Sequence, residues 1–305
     1  MKKLLLLAAL VLFPIARAQT IELSVGSPFT AQVALSNIML SDVISLGFAA
    51  STERLRFSTS ALLDIAPIGS AQASASLEWA YVGRFRVNLA ARATLGSATL
   101  NAAVAFWNAA PANFDPFEIY APDPLPNSGT GSRVDLGLGL RASRSVSIFN
   151  ALRLGSDFSS NSLQIRVRSA DTAYSFGVLA ASQVGGAVYL LQSGLNVAFE
   201  DAGLSFSFGA GIGLSGNTFA YEGNFGIFLG LFEGANLEFA LVFQPWRFEV
   251  LPFRSSLAFS LKPGFGTLFL TGFVGSNPSS TFAALRLAYR VGWEELFPVP
   301  DTRVP

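Results

Sequence analysis

The sequence predicts an all-β chain, closed into an antiparallel transmembrane barrel of 16 to 18 strands within a range of 12 to 20. Three observations lead there. Apolar residues alternate with polar or small ones, one for one, through most of the chain, as side chains do on the two faces of a strand. Charged residues make up only 13% of the composition and apolar residues 51%, where ordinary globular chains carry about 25% charge. So many strands have an apolar face that one soluble core could hardly cover them all, whereas a bilayer could.

The elements follow in chain order. Lys2 and Lys3 precede an apolar run from Leu4 to Ile15, and Ala16-Arg17-Ala18 has the small-x-small form of a cleavage site. Residues 1–18 therefore read as a cleaved signal peptide, too short to span as a helix of roughly 20 residues. No Cys follows, which closes the lipid-anchored route. Its loss leaves 17 basic against 20 acidic residues, a formal charge of −3. Such a balance gives no reason to expect nucleic acid as a partner.

Strand patterns then fall at residues 21–25, 30–36, 43–50, 54–64, 72–81, 84–95, 98–107, 133–142, 146–154, 162–168, 174–181, 187–192, 195–200, 204–215, 225–231, 237–243, 246–251, 254–262, 267–274 and 283–291. Turn signals such as Gly96-Ser97, Ser193-Gly194, Gly216-Asn217 and Glu233-Gly234 separate many of them. About 20 segments result, several too short for a crossing of about 9–11 residues. The weakest is 246–251, held between Pro245 and Pro252. Residues 19–293 thus form the barrel, and 294–305 a loose periplasmic tail.

One connection is long. Residues 108–132 carry five prolines together with Asp115, Glu118 and Asp123. Connections of this length are uncommon and often functional. Two readings stand: a solvated extracellular loop, or a loop folded into the lumen that narrows the bore with its carboxylates.

Residues 172–199 and 202–221 are each long enough for a spanning helix. The first is broken by Gly185-Gly186 and Ser193-Gly194, and the second alternates at the strand period. The stretch "LSFSFGAGIGLSGN" also contains Gly211-x-Gly213-x-x-Gly216, the spacing of a dinucleotide turn. No helix pattern follows it, as that fold requires. Its glycines fall two apart because they share one strand face.

The chain has no His and no Cys. That removes His-based triads, His-ligated zinc and disulfides. The reading is a non-enzyme without cofactor or metal.

The final pattern, "FAALRLAYRVGW", sets Leu285, Leu287, Tyr289, Val291 and Trp293 on one face. It is similar to the C-terminal insertion signal of bacterial outer-membrane β-barrel proteins, and the whole pattern resembles the porin type. In that class the strand usually ends the chain, whereas twelve residues follow Trp293 here. The resemblance implies an outer-membrane location in a bacterium with two membranes, lipid on the outer face, passage of small solutes, and leaves oligomer formation open. Trp79, Tyr81, Trp107, Tyr189, Trp246, Tyr289 and Trp293 fit interfacial girdles.

The polar strand faces carry the functional reading. Arg54, Arg56, Arg86, Arg92, Arg133, Asp135, Arg141, Arg166, Arg168, Arg254, Arg286 and Arg290 would line the pore, with Lys262 in the same company. Cations would outnumber anions there, and basic rings favour anions. The expected function is passive diffusion of small solutes with mild anion selectivity. The alternatives are a structural or adhesive barrel without a conducting pore, and a secreted soluble all-β protein.

Overall fold

The computed structural model describes residues 20–65, 69–110, 114–121, 129–156, 158–183, 186–248, 251–292 and 295. The signal peptide reading, Asp123, Trp293 and all of the tail except Glu295 lie outside them.

Eighteen strands form one antiparallel sheet. They are β1 Thr20–Ser27, β2 Thr30–Met39, β3 Ile44–Ser51, β4 Arg54–Ile65, β5 Gly69–Ala80, β6 Arg84–Leu95, β7 Ala98–Trp107, β8 Gly131–Arg141 and β9 Val146–Gly155. The second half holds β10 Phe158–Ser169, β11 Thr172–Gln183, β12 Gly186–Phe199, β13 Leu204–Ser215, β14 Thr218–Phe232, β15 Ala235–Phe243, β16 Phe253–Leu261, β17 Thr267–Asn277 and β18 Ser280–Gly292. Each strand pairs with its sequence neighbours, and β1 pairs with both β2 and β18. The sheet therefore closes without a free edge, the arrangement hydrocarbon demands of a spanning sheet. No helix among the described residues is long and apolar enough to cross a membrane. Eighteen tilted strands about 4.8 Å apart enclose a bore roughly 35 Å across at the backbone, too wide for side chains to fill.

The twenty sequence segments reduce to eighteen strands for two reasons. Residues 187–192 and 195–200 are one strand, β12, because Ser193-Gly194 runs straight through the ladder and pairs with Phe176 and Ser175 of β11. There the small pair lets Ser175 approach closely: a Cβ on Gly194 would come 2.5 Å from its hydroxyl. Of residues 246–251, the described 246–248 and 251 extend no ladder; they belong to the connection between β15 and β16. Where the turn reading held, the chemistry is local: Gly96 and Gly216 adopt φ of +58° and +57° in two-residue hairpins, a region that costs glycine little.

Register fixes which face each residue takes. On β12 and β13, Leu191, Phe208, Ile212 and Leu214 point outward and are 66%, 54%, 57% and 54% exposed. Their alternates Ser205, Ser207, Gly209, Gly211 and Gly213 point inward. The glycine run of the dinucleotide-like motif is thus a bare patch of inner wall, set against Asn224 and Glu222 of β14. An Ile212→Arg substitution places a charge on the outer face in mid-strand. It should cost about 2–4 kcal/mol of barrel stability, against under about 1 kcal/mol for Ser74→Arg on the inner face. Folding yield into lipid vesicles in a urea series measures the difference.

Candidate functional site in the barrel lumen

Both chain ends of the barrel lie at one rim. At the opposite rim the connections are two or three residues long, except 108–130 and 244–252. The described residues of both, 114–121 and 244–248, turn inward.

The first reaches across the bore. Phe114 is buried at 1% exposure against Ala80 and Ala109. Phe117 and Tyr120 flank a 3₁₀ turn at Glu118–Tyr120. They pack on Phe273 of β17 at ring distances of 5.5 Å each, and beside Ala284 of β18. Glycines make the seats: a Cβ on Gly26 of β1 would overlap the Phe117 ring, and one on Gly275 of β17 would come 3.3 Å from Tyr120. Burial raises the Tyr120 phenol above its ordinary value of 10.0, so it stays neutral.

Charge pins this segment at its other end. Glu78 of β5 is 2% exposed and bonds the Arg86 guanidinium at 2.9 and 3.0 Å. Arg54 reaches Glu78 at 3.1 Å and Asp115 at 3.4 Å. Arg86 also holds Glu118 at 2.5 Å. The half-exposed Arg56 lies 3.8 Å from Glu78. Three guanidiniums and three carboxylates thus balance, which makes a buried cluster of this kind tolerable.

The second segment docks on the other side. Trp246 packs on the buried cluster of Ala181, Val188, Leu190 and Ala220 and lies 6.1 Å from the Phe158 ring of β10. Its indole N–H donates to Glu222 Oε2 at 3.0 Å, while Gln192 donates to Oε1 at 2.7 Å and Gln244 to Oε2 at 3.3 Å. Arg254, 2% exposed, donates to Gln244 at 3.0 Å and stacks 4.0 Å from the Phe248 ring. The two segments meet at Gly275, where Leu251 lies beside Tyr120.

Clear of both segments, the inner faces of β5–β10 stay open as a recess of about 600 Å³. Arg133 and Arg153 share Asp135 there, at 2.8 and 2.6 Å. Arg92, Arg141, Arg166 and Arg168 lie on the same wall, exposed, with no ion-pair partner among the described residues.

The fold is similar to that of bacterial porins. The porin of Rhodopseudomonas blastica, in a triple mutant, matches at 9% identity and TM-score 0.46, over 90% of this chain and 97% of that one. OpdK of Pseudomonas aeruginosa, solved with vanillate, matches at 9% identity and TM-score 0.48, over 90% of this chain and 96% of that one. No family model matches the chain, and no curated protein matches it.

Every sequence-predicted lumenal residue within the described strands has inward parity, but their surroundings differ. Arg54, Arg86 and Arg254 sit under the in-folded segments. Arg286 faces the Phe117 ring at 5.7 Å, and Arg290 pairs with Glu22 at 2.6 Å near the terminal rim. Asp115 and Glu118 lie inside the bore. Two girdle residues differ from expectation. Trp107 shares parity with Asn101 and Ala105, faces inward and is 2% exposed; Trp246 is drawn into the lumen by Glu222. Glu295 accepts from the Gly266 and Gly292 N–H groups at 3.2 and 3.1 Å, tying the start of the tail to the rim.

The sequence reading missed Arg153, Glu222 and the 244–252 segment. Arg153 sits on β9, where Asn150 breaks the apolar face and blurs the parity. For the segment a signal existed: Trp246-Arg247-Phe248 between two prolines is rich in anchors and has no alternation.

Proposed function

We propose that this protein is an outer-membrane channel for passive diffusion of small solutes, with a mild preference for anions, exported by a bacterium with two membranes. It is read as a non-enzyme. The observation that supports the reading is the lateral separation of charge on the inner wall. Strands β6–β10 carry Arg86, Arg92, Arg133, Arg141, Arg153, Arg166 and Arg168 inward, against Asp135. From residue 169 to 246 the chain has no Lys or Arg and six acidic residues; of these, Glu222 and Glu238 point inward on β14 and β15. The in-folded segments cover many of the paired charges, and the exposed arginines flank the open recess. Charged rings of one sign set selectivity in pores.

The test is electrical. Purified protein in a planar bilayer should show open steps in KCl. In a KCl gradient the reversal potential should shift toward the chloride equilibrium value. A shift toward the potassium value would overturn the anion preference, and silence would favour a structural barrel.

A further inference from the structure

Many large polar side chains of the lumen are engaged with one another. Three adjacent ones are not. Gln72, Arg92 and Asn101 face each other across β5, β6 and β7 in a single row, as the pairs Gln72–Arg92 and Arg92–Asn101. None of the three side chains has a hydrogen-bond or ion-pair partner among the described residues, and all three line the 600 Å³ recess. At about 4.8 Å per strand the row spans roughly 10 Å, the length of a small organic molecule.

The next two positions of the row are Gly137 and Ala151 on β8 and β9. They leave a floor nearly bare of side chains: a Cβ on Gly137 would already stand 3.4 Å from the Asn101 amide nitrogen. Two residues up the same strands, Asp135 is held between Arg133 and Arg153. A carboxylate shared by two guanidiniums therefore closes the recess on that side. A cavity of this volume suits a small ligand.

We propose that this recess is a saturable subsite for a small hydroxylated carboxylate. Resting on the channel reading above, it names the solute class that dwells in the passage. The unpaired Arg92 guanidinium supplies the fork that a carboxylate fits. The flanking amides each offer a donor and an acceptor, which is what a hydroxyl needs. A simple carboxylate uses only the first, and a neutral polyol only the second.

The experiment is current block in planar bilayers, after open steps in KCl have shown a conducting, folded channel. Gluconate added to the KCl should reduce the single-channel current along a saturating curve. Acetate and sorbitol at equal concentration should do so much less. Arg92→Gln should raise the half-blocking gluconate concentration about tenfold, as loss of one charge-assisted contact predicts. Asn101→Leu should raise it less, and Arg144→Gln, in the exposed connection between β8 and β9, should leave it in place. A linear, unsaturating response to gluconate would overturn the subsite while leaving the channel standing. So would a half-blocking concentration unchanged in both Arg92→Gln and Asn101→Leu. Absence of open steps in KCl would overturn the channel and the subsite together.

Discussion

Glu78→Gln should strongly destabilise the inward segment. The glutamine keeps the shape of the side chain and removes its charge. Arg54 and Arg86, 6% and 7% exposed, then share two carboxylates in place of three. Breaking a buried ion cluster by removing one partner costs about 3–5 kcal/mol, because a charge is left behind without its counter-ion. The temperature at which the compact barrel converts to the slower-migrating unfolded form on a gel should fall, and open-channel noise should rise as residues 114–121 loosen. The comparison is Arg56→Gln. That guanidinium is half-exposed and 3.8 Å from Glu78, so its loss should cost under about 1 kcal/mol. Equal effects from the two variants would mean that burial of the cluster contributes nothing.

Gly26→Leu attacks the other anchor of the same segment. The space above Gly26 is taken by the Phe117 ring, and any side chain there must evict it. Strand β1 stays paired with β2 and β18, where the new Cβ comes 3.0 Å from the Leu285 carbonyl oxygen, and the rest of the side chain enters the bore. Phe117 would lose its contact with Phe273, and the segment would swing away from the β17–β1 wall. Single-channel conductance in KCl should rise by roughly 1.5- to 3-fold, as expected when a constricting element leaves a pore. An unchanged conductance would show that residues 114–121 do not narrow the passage.

The barrel was legible in the sequence because its solvent is unusual. Lipid outside and water inside make every spanning strand repeat the same two-residue pattern, and that pattern survives in segments such as Arg84–Leu95 and Leu204–Ser215. Parity then assigned the inner faces residue by residue. What parity cannot give is the third dimension of the lumen. Arg54 and Arg92 look alike on the alternating pattern, yet one is buried under a segment and the other is open. The difference depends on where residues 114–121 cross the bore, which is set by glycine seats on β1 and β17. A glycine on an inner face reads simply as a small residue until its partner ring is known. The carboxylates of the long connection could be suspected from their place among prolines, but the guanidiniums that hold them could not be chosen from sequence.

The short hairpins at the rim far from the chain ends carry a further consequence. Seven of the nine connections there are two or three residues long, and the described parts of the two longer ones, residues 114–121 and 244–248, turn toward the barrel axis. A protease needs several residues of extended backbone, and an antibody or a phage tail needs relief to grip. The short hairpins offer little of either. Where the rim is trimmed to its turns, a molecule approaching along the barrel axis meets chiefly the residues that line the mouth.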